Sequence, residues 1–460
     1  MLLKPWVLKR DKMGSSKSKD FTSGPLLKQI IVFSLPLIVS GVLQQLFNSC
    51  DIAVVGRFVG PEALAAVGST APLINLILNV FMGLSVGANV LIATLEGRKT
   101  YSSIGSAVHT IVFLSFICGT FLAIVGFVLS GQILLWVETP VEVLASAETY
   151  LEIYFLGFPF ILLYNFGSAV LRGKGESFKP AAFLIVAGIL NAVMNLVFVI
   201  CFGLGAAGVG IATTVSNVFS ASCVLISLMK EKEIYRFSFR KLVLDPHHCS
   251  VIFRIGMPAG IQGIVFSLSN LVIQGALNTL GSKVMAGSAS AVTFEIFAYF
   301  IVSAFVQCAV TFSSQNFGAG NLKRCRLSYC YCMMLSVCMT MICSALFTFF
   351  RWPLSEIYSK DPQSVQFCAQ RILRVELVQF LVSSYEVTAG ALRGLGCSLL
   401  PALITVVGTC TLRVLWIATV FQKFRSYESI LAVYPVSWIV TGTAMIVTYI
   451  LYTRKRFNGI

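Results

Sequence analysis

Long apolar runs, separated by short polar or glycine-rich segments, dominate the pattern of this chain. The run Phe183–Met229 contains no Asp, Glu, Lys or Arg. It is long enough for two membrane-spanning helices, because one span needs about 20 apolar residues, and "GLGAAGVG" inside it predicts the turn between them. Transmembrane β-barrels show alternating segments of about ten residues, whereas these runs do not alternate. The pattern therefore predicts an all-α polytopic membrane protein.

The apolar runs and the breakers between them predict about twelve transmembrane helices. We expect these helices near residues 28–53, 62–94, 104–137, 144–170, 180–203, 207–229, 250–279, 286–313, 326–350, 364–391, 401–422 and 430–453. The composition agrees, since 57% of the residues are hydrophobic and only 12% are charged. Soluble proteins carry about a quarter charged residues, so an ordinary soluble globular protein is excluded.

The formal net charge of +15 is distributed unevenly between the two sides of the predicted bundle. With the N-terminus in the cytoplasm, the inner segments hold 25 Lys and Arg residues and the outer loops hold six. The positive-inside rule therefore predicts a multi-pass protein of the plasma (inner) membrane with both termini cytoplasmic, and no nucleic-acid partner. Translation starts at either Met1 or Met13, and the polar, basic segment 1–27 lacks the apolar core of a signal peptide.

The chain also contains an internal repeat. "LRGKGESFKPA" begins at Leu171 and "LRGLGCSLLPA" begins 221 residues later, at Leu392. The same offset of 221 residues, here called the repeat offset, relates Tyr164 to Tyr385. Six predicted spans separate equivalent points, so the repeat predicts two six-helix lobes related by a pseudo-twofold axis along the membrane normal. The predicted segments are a cytoplasmic N-terminal segment (1–27), an N-lobe with helices 1–6 (28–229), a cytoplasmic linker (230–249), a C-lobe with helices 7–12 (250–453) and a cytoplasmic tail (454–460).

Several motifs together resemble one family of transporters. They are "FSLPLIVSGVLQQLFNSCDIAVVGRFVGPEALAAVGS", the two "LRGxGxS…P" loops and "GILNAVMN". From about Phe21 to Arg456 the chain is similar to bacterial members of the multidrug and toxic compound extrusion (MATE) family. The resemblance implies twelve helices in two lobes around a central cavity, and secondary antiport of organic cations driven by inward H⁺ or Na⁺. We expect a monomer in the lipid bilayer with small-molecule substrates and no cofactor besides the coupling ion.

Polar residues inside the predicted spans are the candidate functional residues, because a polar side chain in lipid is unfavourable. In the first helix, Gln44, Asn48 and Asp51 recur at intervals of four and three residues and therefore share one face. Gln44 and Asn48 are predicted to line a polar cavity. Pro36 precedes them and is expected to kink or locally unwind this helix.

A candidate coupling site follows from four residues of the N-lobe. Asn191 and Asn195 lie one turn apart on one face of the fifth helix. With about 1.5 Å of rise per residue, Asp51, Asn195 and Thr213 all fall in the outer half of the bilayer. A carboxylate shielded from water can take up and release a proton, and with amide and hydroxyl oxygens around it can instead ligate Na⁺. No other metal site is expected.

The resemblance implies that the family's cation site corresponds to Asp51, Asn191, Asn195 and Thr213. Proton-linked relatives often carry an acid where this chain has Asn195, so H⁺ and Na⁺ both stay open as the coupling ion. The alternative is structural: Asp51 would be hydrogen-bonded near the outer interface, and the two asparagines would join helices.

The C-lobe has a different set of polar residues. Asn270 and Gln274 share one face of the seventh helix and are predicted to line the cavity, but no acid occupies the position equivalent to Asp51. The resemblance implies an aspartate in the tenth helix of sodium-coupled relatives, and Ser383 stands at the position where we expect it.

Glu295, Glu386 and Arg413 are charged residues inside the predicted helices eight, ten and eleven of the C-lobe. Arg413 comes twelve residues after Pro401, which places it near the middle of the membrane at about 1.5 Å per residue. An unpaired guanidinium there is very unfavourable, so Arg413 is predicted to pair with Glu386 or Glu295. Such a pair is either a structural ion pair or a substrate or proton site.

Three other functions compete with antiport. A lipid-linked oligosaccharide flippase of the same superfamily generally has additional helices and a cationic cavity for phosphates, whereas Arg413 is the one clearly deep base. A membrane-embedded enzyme needs nucleophile–base or acid clusters, and the three histidines, at positions 109, 247 and 248, have no such arrangement. A channel suits a twofold repeat less well than alternating access does. The chain is therefore predicted not to be an enzyme.

Overall fold

The computed structural model describes residues 20–137, 139–231 and 234–457, and for residues 50–53, 57, 61–64 and 457 it describes the backbone alone. Within these ranges the chain is helical and contains no strand. The α-helices are α1 (Leu26–Phe58), α2 (Pro61–Arg98), α3 (Tyr101–Trp136), α4 (Val141–Leu156), α5 (Phe158–Gly173), α6 (Phe178–Leu196), α7 (Gly205–Met229), α8 (Pro246–Asn278), α9 (Ser282–Gly318), α10 (Leu322–Phe349), α11 (Arg351–Tyr358), α12 (Pro362–Arg374), α13 (Val382–Gly394), α14 (Leu399–Thr405), α15 (Leu412–Ala418), α16 (Val420–Lys423) and α17 (Tyr427–Phe457).

Ten candidate spans in the described ranges are long and apolar enough to cross a membrane, and the bent pair α4–α5 makes an eleventh. The all-α polytopic fold predicted from the apolar runs is therefore confirmed. The predicted span 364–391 is the exception, because the structure divides it into α12, a 3₁₀ turn (Glu376–Leu381) and α13.

The two halves interrupt their fourth span at equivalent positions. In the first half, the prediction of one continuous helix over 144–170 is wrong. The structure has two helices there, α4 and α5, which meet at Gly157 with a bend of 43°. Pro159 explains this break, because its ring nitrogen cannot donate the helical hydrogen bond. In the second half the 3₁₀ turn contains Val378, which is the counterpart of Gly157 at the repeat offset.

Tertiary contacts hold the second interruption, which has no proline. The Gln379 amide donates to the backbone carbonyl of Glu295 at 2.5 Å. The Ser344 hydroxyl donates to the Glu376 carboxylate at 2.9 Å. These bonds come from α9 and α10, so the local sequence of α12 and α13 contains no signal for the break.

The repeated loops are tight turns that require glycine. Gly175 follows α5 with a φ of 97°, and Gly396 follows α13 with a φ of 82°. A residue with a β-carbon is strained in this left-handed region. This requirement explains why both loops keep the second glycine of "LRGxG".

The described chain forms two compact units. The first unit contains Leu43–Arg254 and Ser314–Asn321, together with the described residues up to Gly24. The second contains Pro25–Val42, Ile255–Ser313 and the described residues from Leu322 onward. The limits predicted for the segments and lobes (1–27, 28–229, 230–249, 250–453 and 454–460) stay predictions, and residues 1–19 and 458–460 lie outside the described residues.

Each unit has its own apolar core. In the first unit, Phe155 and Phe158 stack across the α4–α5 bend with ring centroids 5.3 Å apart. In the second unit, Phe294 packs with Cys368 and Ile372 between α9 and α12. These cores fix the helices that carry the polar residues described next.

The first unit also binds the segment that follows α7. Tyr235 and Phe237 in this segment are each 1% exposed, and the Tyr235 hydroxyl donates to the Glu96 carboxylate. His109 in α3 accepts a hydrogen bond at Nε2 from the backbone N–H of Ser238, at 3.1 Å. The segment is therefore packed against α2 and α3 rather than extended into solvent.

Candidate functional site

Three of the four predicted coupling residues meet in the first unit. Asn191 and Asn195 lie one turn apart in α6 and are 8% and 0% exposed. The Asn195 amide donates to Asn191 Oδ1 at 3.4 Å, and the Asn191 amide donates to Thr213 Oγ1 of α7 at 3.3 Å. The helical spacing seen in the sequence thus corresponds to a buried chain of amide and hydroxyl groups.

The fourth residue, Asp51, has a helical backbone in α1, but its side chain lies outside the described residues. A contact between α1 and α6, four residues before Asp51, shows which residues of α6 lie at the same height as Asp51. A side chain at Gly188 of α6 would overlap the ring of Phe47 in α1, so the two helices touch there. Asp51 follows Phe47 by four residues and Asn191 follows Gly188 by three. Since α1 and α6 run in the same direction in the predicted topology, the Asp51 backbone lies near the level of Asn191.

Local backbone irregularity adjoins this cluster. α6 ends at Leu196, and a π-helical turn (Val197–Cys201) follows directly after it. Single π-turns within helices occur frequently at functional sites. Pro36 lies inside α1, which continues through it as one helix, so local unwinding is not seen and the kink stays a prediction. Gln44 and Asn48 are exposed, and their role in lining a polar cavity stays a prediction.

The predicted partner of Arg413 is wrong. Glu295 is bound instead by Arg371 of α12, whose Nε and Nη2 donate to the two carboxylate oxygens at 2.5 and 3.0 Å. Arg371 Nη1 also donates to the Ser288 hydroxyl at 2.6 Å. Arg371 was not among the predicted site residues, although its charge inside the predicted span 364–391 was an available signal.

Arg413 is surrounded by neutral groups. Its Nη1 donates to Asn270 Oδ1 at 3.0 Å and its Nε donates to the Ser437 hydroxyl at 3.3 Å. The guanidinium carbon lies 4.8 Å from the ring centroid of Tyr434 and 5.3 Å from that of Phe266. Among the described side chains, no carboxylate oxygen lies within 4.0 Å of this guanidinium.

Glu386 is also without the predicted partner. Glu386 lies seven residues before Arg393 in α13, and the two side chains interact electrostatically. They do not form an ion pair, which would need a nitrogen–oxygen distance of at most 4.0 Å. Arg393 is 6% exposed and donates to Gln262 Oε1 at 2.8 Å. The hydrogen bonds of Arg413 go to Asn270 of α8 and Ser437 of α17, so Arg413 is held by these two helices and not by Glu386.

The other polar residues of interest in the second unit are either buried or exposed at the surface. Ser383, at the position where an aspartate was expected, shares a 2.8 Å hydrogen bond with the Ser336 hydroxyl. Glu376 is 0% exposed and was not predicted as a site residue. Gln274 is exposed and donates to Asn278 Oδ1 at 3.0 Å. In the described part of the chain, no group of three or more His, Cys, Asp or Glu side chains is arranged to hold a metal.

The fold and its buried polar clusters are those of a multi-pass membrane transporter. The MatE family model matches residues 36–197 and again 258–418, more than half of the chain. The chain therefore belongs to the MATE family. The starts of the two matches are separated by almost the repeat offset, so each half of the chain matches the model once.

Curated relatives and solved structures agree with this family. The chain is 29% identical over 308 residues to the probable multidrug resistance protein YpnP of Bacillus subtilis (strain 168), which covers 67% of this chain and 69% of the relative. It is 28% identical over 389 residues to YoeA, a probable multidrug resistance protein of the same strain, covering 82% and 83% of the two chains. A multidrug resistance MATE family transporter in an outward-facing conformation superposes with a TM-score of 0.89 at 20% identity, over 97% of this chain and 99% of that one. The two curated relatives are named as probable multidrug resistance proteins, and the solved structure is described as a transporter.

Proposed function

We propose that this protein is a secondary active antiporter that exports organic, cationic and amphipathic compounds in exchange for inward H⁺ or Na⁺. It acts by alternating access of its two lobes, as a monomer in the plasma (inner) membrane with both termini in the cytoplasm. Relatives named as multidrug resistance proteins support the export of small molecules. The observation that supports the coupling role is the hydrogen-bonded chain Asn195–Asn191–Thr213, in which both amides are buried, near the level of Asp51 in α1.

The chemistry of this cluster suits a small cation. Amide and hydroxyl oxygens are hard ligands, and a carboxylate at Asp51 adds the negative charge that a hard cation such as Na⁺ requires. The same carboxylate can bind a proton, since a neutral carboxyl is favoured where water is excluded. A bound cation at Asp51 neutralises that carboxylate, and an exported cation in the same lobe then loses its electrostatic attraction. Binding of the coupling ion thereby favours release of the substrate.

Proteoliposomes with an imposed pH gradient or Na⁺ gradient, applied one at a time, test this function. Wild-type protein is expected to drive efflux of a cationic dye such as ethidium under at least one gradient, and Asp51→Asn to abolish that efflux. Glu142→Gln, at the exposed start of α4, makes the same change from carboxylate to amide and should keep full activity. Efflux under neither gradient would contradict antiport, and wild-type efflux by Asp51→Asn would contradict the coupling role.

A further inference from the structure

The second unit contains more buried positive charge than its carboxylate contacts balance. Arg371 and Arg413 lie on Tyr434, with guanidinium carbons 5.0 and 4.8 Å from the ring centroid. Glu295 holds Arg371 through both oxygens. Arg413 is 1% exposed and has an amide, a hydroxyl and two aromatic rings around it. A guanidinium stays charged in a protein, so this charge requires a counter-charge that the described side chains of the unit do not place there.

The hydrogen bonding of Arg413 is also incomplete. A guanidinium has five N–H groups in a fixed fork. Nε and Nη1 use one acceptor each, and among the described residues Nη2 has no acceptor. Nη1 and Nη2 together are the edge that binds carboxylates and other oxyanions with two parallel hydrogen bonds. In the described part of the chain, this edge is occupied only by the neutral oxygen of Asn270.

Asn270 connects this edge to solvent. Its side chain is exposed, although that of Arg413 directly behind it is buried. Gln274 is exposed one turn further along α8 and shares the same face. Amide side chains at membrane depth face water or protein rather than lipid, because an unsatisfied amide in lipid is unfavourable. Asn270 therefore separates a water-facing surface from a buried guanidinium.

We propose that the Arg413 guanidinium is a binding site for an oxyanion, with Asn270 Oδ1 occupying the place of one oxyanion oxygen when the site is empty. Tyr434 and Phe266 flank the guanidinium with apolar ring faces, which suits the organic part of a ligand. If the protein exports amphiphiles as proposed above, the exported compound carries a carboxylate besides its cationic group. The substrate class in this proposal therefore rests on the proposed function. An inorganic oxyanion such as sulfate has the same chemistry and is the other source of the ligand.

Two dyes that share one ring system test whether the protein prefers a ligand with a carboxylate. Rhodamine 110 carries a free carboxylate and rhodamine 123 is its methyl ester, so only the first offers an oxyanion. Binding to purified full-length protein in detergent is followed by fluorescence anisotropy, without any ion gradient. We expect the wild type to bind rhodamine 110 about tenfold more tightly or better, since a hydrogen bond to a charged group contributes ~1.5–3 kcal/mol.

Substitutions at Asn270 change the site in opposite directions. Asn270→Asp puts a permanent carboxylate on Arg413 and is expected to remove the preference for rhodamine 110, while raising the melting temperature through the new ion pair. Asn270→Ala removes the neutral competitor and is expected to keep or increase the preference. Thr279→Asp, an exposed position just after α8, introduces the same charge away from Arg413 and should leave both affinities unchanged.

Each outcome decides the proposal. Loss of the carboxylate preference in Asn270→Asp but not in Thr279→Asp supports an organic oxyanion ligand. Equal binding of the dyes, with sulfate raising the melting temperature of the wild type but not of Asn270→Asp, supports the same site with an inorganic ligand. If neither the dyes nor sulfate distinguishes the wild type from Asn270→Asp, the proposal is wrong. Because no gradient is used, a failure of antiport would leave this result intact.

Discussion

The two units repeat one scaffold but place opposite chemistry at equivalent positions. Thr213 in α7 and Tyr434 in α17 are counterparts at the repeat offset, and each belongs to a polar cluster inside its unit. The other members of the Thr213 cluster are the amides of Asn191 and Asn195, which carry oxygen atoms besides their N–H groups. Around Tyr434 the neighbours are the two guanidinium groups of Arg371 and Arg413, which offer only N–H donors.

The amides of the first cluster and the deep arginine of the second have no polar counterpart in the other half. Asn191 and Asn195 correspond to Leu412 and Trp416 at the repeat offset. In the reverse direction, Arg413 corresponds to Ala192. Duplication therefore kept the helices and their turns, while these amide and guanidinium positions diverged. One unit is suited to a cation and the other to an anion, so the two clusters should be separable by mutation.

The largest expected effect distinguishes the two arginines of the second unit. Arg371→Gln leaves the half-buried Glu295 carboxylate without its partner, and breaking such a pair destabilises by about 3–5 kcal/mol. Arg413→Gln leaves neutral groups behind, so the loss should be about 1–3 kcal/mol. Thermal unfolding of the purified variants measures both.

A rescue experiment completes this comparison. Glu295→Gln in the Arg371→Gln background removes the stranded charge and should restore part of the lost stability, whereas it should not help Arg413→Gln. Equal losses in the two single variants, or equal rescue, would show that Arg413 is also balanced by Glu295 and would remove the difference between the arginines.

The next effect concerns the independence of the two clusters. Asn195→Ala removes the donor to Asn191 in the first unit, and we expect the concentration of H⁺ or Na⁺ that half-saturates efflux to rise about fivefold, as for one lost hydrogen bond of ~1 kcal/mol. The preference for rhodamine 110 over rhodamine 123 should not change, because the two clusters share no hydrogen-bond partner among the described residues and independent sites act additively. A matched change in the opposite cluster, Asn270→Asp, should alter the dye preference and leave the ion dependence as it is. Cross-effects of similar size in both variants would contradict separate clusters.

Features with a local sequence signal were predictable. Apolar runs and Gly or Pro breakers specified the spans, and the i, i+4 spacing of Asn191 and Asn195 specified their common face. The bend at Gly157 also had a signal, since Pro159 follows it by two residues, but the long apolar run concealed the break.

Features that depend on how helices rotate against each other were not predictable. The depth of Arg413 was estimated from its distance to Pro401, yet depth does not say which neighbour its side chain meets. Its rotation directs it to Asn270 and Ser437, and α12 brings Arg371 to Glu295. The 3₁₀ turn at Glu376–Leu381 has the same origin, because a bond from Gln379 to the α9 backbone holds it.

The smallest expected effect on stability concerns Glu231, which follows the end of α7 and forms salt bridges with two lysines in the first unit. Glu231 accepts hydrogen bonds from Lys174 and Lys179, whereas the residue equivalent to Lys174 in the second unit is Leu395. Partial burial acts to raise the pKa of Glu231, but the two lysines outweigh it and hold that pKa below its ordinary value.

A lowered pKa in the folded state means that the unfolded chain binds the proton first as the pH falls. The stabilisation by Glu231 is therefore complete above the unfolded pKa of about 4.3 and disappears as the pH drops through the folded value. Glu231→Gln should lower the unfolding free energy by ~1 kcal/mol at most near pH 7, since pairs near the surface contribute little. The variant and the wild type should converge in melting temperature as the pH falls below the lowered folded-state pKa of Glu231. A constant difference across this pH range would show that Glu231 acts through packing rather than through its charge.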